Sequence, residues 1–156
     1  MSLAEAKQEN FQIALYNYIE GRYSLTAKCF AEDNNLDTTT LTEWVEFAWR
    51  YIISREVRHV AGKPGNINEA YMDVQINVKP TGNITRIARI KDTVIDLLRR
   101  PVIQVQDYVG GTTNDIGNLE GEGLVTDISL GKENDVNQHL LTFKFRYLER
   151  FDRYTT

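Results

Sequence analysis

Ala70-Tyr71-Met72-Asp73-Val74-Gln75-Ile76-Asn77-Val78 decides how this chain is read. Ala70, Met72, Val74, Ile76 and Val78 alternate with Tyr71, Asp73, Gln75 and Asn77, the period of a strand with one buried face. Pro80-Thr81-Gly82-Asn83 then turns the chain into an amphipathic helix, Ile84–Arg99, and Pro101 ends it. The helix carries Ile87, Ile90, Val94, Leu97 and Leu98 along one stripe, as a helix covering a sheet does. Downstream the pattern predicts a strand over Val102–Val109, a glycine-bearing loop over 110–123 and a strand over Leu124–Leu130. A turn over Gly131–Asn137 leads to a last strand, with Leu141, Phe143, Phe145 and Tyr147 inward and Thr142, Lys144 and Arg146 outward.

Upstream, Val45, Phe47, Trp49, Tyr51 and Ile53 alternate with Glu46, Ala48 and Arg50, which argues strand. Trp44 and Ile52 blur that pattern and keep a short helix in competition over part of it. The turn cluster Ala61-Gly62-Lys63-Pro64-Gly65-Asn66 joins this segment to the 70–78 strand as a long antiparallel hairpin with a polar tip. Ser2-Leu3-Ala4-Glu5 is a capping box for a first helix, which shows Phe11, Leu15, Tyr18 and Ile19 at helical spacing and stops at Gly21. Leu25–Phe30 suits a short strand, and Glu32–Thr42 a polar loop. The expectation is a single α+β domain over 1–156. It has a mixed, mostly antiparallel sheet, an N-terminal helix, a second helix packed on one face, and extended loops at about 61–69 and 110–123.

With 156 residues, 42% hydrophobic and 26% charged, the composition is that of a globular domain able to bury its own core without metal or disulfide. The one cysteine, Cys29, excludes an internal disulfide and agrees with a reducing cytoplasm. No run approaches the ~18 apolar residues of a membrane span, and Met1-Ser2-Leu3-Ala4-Glu5 lacks the basic and apolar regions of a signal peptide. A net charge of −4 argues against a dedicated nucleic-acid binder. The charges are sorted into blocks: acidic over Cys29–Trp49 and Pro101–Gly131, basic between them. Solvated faces would explain this, and so would a positive surface meeting a negative one on a neighbouring copy.

No residue set announces chemistry. His59 and His139 are the only histidines. Neither has a His or Cys at metal-pair spacing, and their places near a hairpin tip and at a strand start predict two exposed, idle side chains. Cys29, between Lys28 and Phe30, reads as a buried structural thiol. Phosphate-loop and dinucleotide fingerprints are missing, since Gly117, Gly121 and Gly123 are spaced wrongly. The pairs Glu120/Glu122 and Asp92/Asp96 read as solvated surface rather than acid–base machinery. Arg86, Arg89, Lys91, Arg99 and Arg100 lie on or beside one helix, but Asp92 and Asp96 share it, which leaves only passive contact with DNA inside a larger assembly.

In its order of elements, the chain resembles the tail terminator proteins of long-tailed bacteriophages. That order is an N-terminal helix, a long hairpin ending in a strand like Tyr71–Val78, one helix, then closing strands ending in an aromatic strand like Leu140–Leu148. The stretch that looks most like them is Ile84–Arg99 followed by Pro101-Val102-Ile103-Gln104-Val105, and related neck and tail-completion proteins share the pattern. The resemblance implies a virion structural protein, made in the host cytoplasm, forming a hexameric ring that caps the tail tube and joins it to the neck or head. Its partners would be further copies of itself, the tail tube protein and a neck or head-completion protein, with DNA passing only through the lumen and no membrane. It implies no catalytic residue, metal or cofactor, hence not an enzyme. The expected contact residues are Lys63 and Asn66 on the hairpin tip, Arg86, Arg89, Arg99 and Arg100 around the helix, and Asp115, Glu120 and Glu122 on the glycine loop. A monomeric protein-binding module and a small enzyme using His59 or His139 stay open as alternatives.

Overall fold

Ala70, Met72, Val74, Ile76 and Val78 are all fully buried, as their alternation predicts. They lie on β3 (Lys63–Val78), flanked by β2 (Glu43–Val60) and, further along the chain, β6 (Val136–Glu149). The structure, a computed structural model, describes residues 3–31, 36–60, 63–80, 85–112 and 114–149, with side chains over 8–31, 36–50, 69–80, 85–112 and 114–148. The expected capping box at Ser2 and Glu5 falls outside these.

The remaining elements are α1 (Leu3–Arg22), β1 (Ala27–Phe30), α2 (Thr85–Leu98), β4 (Val102–Gln106) and β5 (Asp115–Glu133). The sheet order is β1-β2-β3-β6-β5-β4. Every neighbouring pair is antiparallel except β1 with β2, so the domain is α+β with a mixed sheet. Register stacks the buried residues in rows: Phe47 opposite Val74 opposite Leu141, with Met72 opposite Phe143 and Ala70 opposite Phe145. These side chains form one cluster with Phe11, Ala14, Leu15 and Ile19 of α1 and Ile90, Val94 and Leu98 of α2. Phe11 lies 4.1 Å, centroid to centroid, from Tyr147, and Tyr23 meets Phe47 edge-on at 5.7 Å.

Two expected loops are strand. Residues 63–69 of the extended loop expected at 61–69 belong to β3, paired with β2 alone over 63–66 and with β6 as well from Ile67; residues 61–62 lie outside those described. Pro64 fits there because β6 begins to flank β3 only at Ile67, and a strand flanked on one side can spare an N–H. The extended loop expected at 110–123 ends at Asn114, and β5 runs from Asp115. Its glycines serve strand geometry rather than loop freedom. A Cβ at Gly117 would stand 2.1 Å from the Leu148 carbonyl oxygen, and Gly123, at φ +115°, follows a bulge across from Lys144. At the far end, Asn134 and Asp135 both take positive φ, 48° and 60°, the backbone of a tight two-residue hairpin turn.

Candidate interaction surfaces

One face of the sheet carries the core, and the other carries charge in pairs. On β2, β3, β6 and β5 the polar alternates point away from the core, and register sets opposite signs side by side. Arg50 holds the Asp73 carboxylate with two nitrogens, at 2.6 and 2.8 Å, and the Thr142 hydroxyl donates to the same carboxylate at 2.8 Å. Arg146 reaches Glu120 at 2.8 Å and Glu122 at 3.4 Å, while Lys144 lies 3.3 Å from Glu122 and 3.6 Å from Glu69. The hydrogen bond to Glu120 raises the Arg146 pKa further, and the one to Glu122 raises that of Lys144. Each of these three cations is therefore engaged within its own chain, which makes this face a poor phosphate binder.

The expected contact residues scatter. Lys63 and Asn66 occupy β3 positions opposite Val60 and Glu56, and their side chains lie outside those described. Arg86 turns inward from α2: its guanidinium makes two hydrogen bonds to Glu43, at 3.0 and 2.7 Å, and that bond raises its pKa. Arg89, Arg99 and Arg100 are exposed, with no ion-pair partner among the described residues. Asp115 accepts the Gly117 N–H at 3.1 Å at the start of β5. Only Glu120 and Glu122 are brought together, by the β5–β6 register that places them beside Arg146 and Lys144.

The segment expected to reach out as a glycine loop is held down where it is loop. Asn10 on α1 is fully buried; its Oδ1 accepts the Val109 N–H at 2.9 Å and its Nδ2 donates to Asp107 at 3.3 Å. Asp107 also accepts the Gly110 N–H at 2.9 Å, and its backbone pairs with Asn114 and Thr112. No local pattern in the sequence marks Asn10, because its partners lie 97 and 99 residues away.

What the strands leave open is their edges. β1 covers β2 only to Phe47, and the Trp49 N–H is taken by the Tyr16 hydroxyl at 3.3 Å; beyond that β2 has no neighbouring strand on that side among the described residues. β4 covers β5 only to Glu120, and the Gly121 N–H goes to Pro101. From Glu122 to Glu133 that side of β5 is open among the described residues, and Val125, Ile128 and Leu130 are about half exposed along it, at 57%, 48% and 46%.

His139 is a correction to the sequence reading. Its side chain is only 15% exposed, and its Nε2 donates to Asp127 at 2.5 Å. The other Asp127 oxygen takes Lys91 of α2 at 2.6 Å. These two hydrogen bonds, that of Lys91 first, hold the Asp127 carboxyl below its ordinary range. Ser129 stands opposite His139 in register, but its hydroxyl accepts the Gly131 N–H at 3.3 Å, so no Ser–His hydrogen bond forms there among the described residues. The His59 side chain lies outside those described. Cys29 is buried as expected, and burial pushes its thiol pKa up, away from reactivity.

No protein-family model matches the chain, and no curated protein matches it. Among solved structures, 11 chains match. One of them, known only by a serial designation, is similar at a TM-score of 0.60 over 94% of this chain and 96% of its own, with 7% identity. At that identity the likeness concerns the fold alone. Among the described residues no helix is long and apolar enough to cross a membrane.

Proposed function

We propose that this chain is a virion assembly protein of the tail terminator or neck type, working as a hexameric ring that caps a tail tube and joins it to the neck or head. The observation that carries this reading is the pair of open edges on opposite sides of one sheet, β2 beyond Trp49 and β5 beyond Gly121. A surface that offers different patches on its two sides favours head-to-tail contacts, which close into rings when the rotation per copy allows. We read α1 and α2 as the cover of one sheet face, leaving the ion-paired face free. The order of elements, which resembles that of terminator and neck proteins, supports the specific role.

The deciding experiment is negative-stain microscopy of the purified chain across a concentration series, with mass by light scattering on the same samples. Closed rings of about six 18.0 kDa copies are expected. A monomer at every concentration would remove the ring reading in favour of a stand-alone binding module, which could use the same β5 edge to take up an extended peptide.

A further inference from the structure

Beyond Ile67, β3 has no β6 beside it, so Glu56–Val60 and Lys63–Asn66 form a ribbon of two strands only. Four residues at a strand rise of about 3.4 Å carry it roughly 14 Å past the sheet. Two strands by themselves are marginal in water. The ribbon also belongs to the basic block: it holds Arg58 and Lys63 against Glu56, a net charge of +1, and Arg55 stands at its base.

The open β5 edge has the opposite character. From Glu122 through the turn at Asp135 it holds Glu122, Asp127, Glu133 and Asp135 against Lys132; Glu122 and Asp127 are engaged by cations of their own chain and Asp135 by Lys132, so Glu133 is the acidic group left over among the described residues. Edges are commonly blunted by bulges and charges, and β5 has three register shifts against β6. Two of these shifts leave Val125 and Leu130 as the extra residues, and both are exposed. A bulge that turns an apolar side chain to water does not protect an edge; it presents one.

The ribbon cannot reach the β5 edge of its own chain, since β3 and β6 lie between β2 and β5. We infer that the open edge of β2, from Arg50 to Val60, pairs with the open edge of β5, from Glu122 to Glu133, in a second copy of this chain. One sheet would thereby continue from subunit to subunit. Sterics choose the direction. β1 blocks β2 before Ala48, and β4 blocks β5 before Gly121. In a parallel pairing these two covering strands would fall at the same level and collide. In an antiparallel pairing each lies beyond the end of the other's open edge, and Arg55 comes to the level of Ile128. This contact rests on the ring reading and names its interface.

The test uses two variants of the full chain, Arg55→Cys and Ile128→Cys, each also carrying Cys29→Ala. They are mixed at the concentration where the wild type assembles and treated with a short bis-maleimide. A covalent dimer in the mixture, and none in either variant alone, is the expected result. Ring-sized particles without the mixed dimer, or dimers formed by Ile128→Cys alone, would overturn this contact and leave the ring reading standing. A monomer throughout, by light scattering, would overturn both. As a second readout, Val125→Lys with Ile128→Lys should raise the assembly concentration about tenfold or more, with the thermal midpoint of the monomer unchanged because both side chains are exposed. Assembly at the wild-type concentration by that double variant would also overturn the contact.

Discussion

Replacing Asn10 with Ala tests whether the segment 107–114 is a built part of the domain. Among the described residues the Asn10 amide is the side chain that hydrogen-bonds this loop to α1, through an acceptor bond at 2.9 Å and a donor bond at 3.3 Å. The substitution strands the Val109 N–H, a cost of about 1–3 kcal/mol for a fully buried donor and toward the low end for this half-buried one. It removes one of the donors on Asp107, whose carboxylate keeps the Gly110 N–H. With the space left by the amide added, we expect a loss of about 2–4 kcal/mol, or roughly 5–12 °C in a domain of this size. Urea denaturation gives the first figure, and its slope should not change. Amide exchange gives the second readout: Val109, Gly110 and Thr112 should lose protection while β3 and β6 keep theirs. Asn10→Asp is the informative companion. It retains the acceptor for Val109 but faces the Asp107 carboxylate with another, so it should be less stable than wild type at neutral pH and recover on acidification. A loss below about 0.5 kcal/mol for Asn10→Ala, with Val109 protection intact, would refute the anchoring role.

Three further outcomes are expected. Phe143→Ala removes a fully buried ring from the centre of the sheet and should cost about 3–5 kcal/mol by chemical denaturation. The Asp127 carboxyl has its pKa lowered in the folded state, so its contribution is present above the unfolded carboxylate pKa and is lost as pH falls through the folded one. The stability gap between wild type and Asp127→Asn should therefore narrow on titration from about pH 5 to pH 2, and a constant gap would contradict the pairing. Arg86→Ala, finally, should lower the unfolding midpoint and leave the assembly concentration unchanged. The reverse result would return Arg86 to a subunit interface.

The fold was legible wherever a short-range period carried it. The alternation over 70–78 and 141–147 and the stripe Ile87, Ile90, Val94, Leu97 and Leu98 need only their own neighbours to be read; the structure buries the apolar alternates and Ile90, Val94 and Leu98, and packs Ile87 and Leu97 half-buried against them. β5 was not legible as a strand from Asp115, because glycine at 117, 121 and 123 is also what a loop would show. The reason for glycine at 117 lies on another strand, in the Leu148 carbonyl. The hairpin turn suggested over 131–137 narrows to Asn134-Asp135. That narrowing decides which residues of β5 and β6 share a row, and with it the meeting of Asp127 with His139. Three bulges lie between the turn and the base of the hairpin, and nothing in the sequence counts them.

The charge blocks show how far a one-dimensional pattern carries a site. Acidic and basic stretches separated in sequence suggested a surface on one copy meeting its opposite on the next. Folding answers part of that pattern internally: Arg86 of the basic block closes on Glu43 of the first acidic block, and Lys91 on Asp127 of the second. A close pair of half-buried charges is worth more to the fold than either group would be to a wet interface, where exposed pairs contribute only about 0–1 kcal/mol. The edge beyond β4 keeps few charges for a neighbour, since Glu122 and Asp127 are held within the chain and Lys132 by Asp135, which leaves Glu133 among the described residues. Assembly along these edges would therefore draw on main-chain hydrogen bonds and on Val125, Ile128 and Leu130, with the covering strands choosing the direction and charge acting mainly on the approach. Added salt should accordingly slow its onset more than it weakens the finished contact, and a stopped-flow light-scattering series in salt separates the two. An assembly whose end point shifts by as many decades as its rate would show that charge, rather than the strands, holds the copies together.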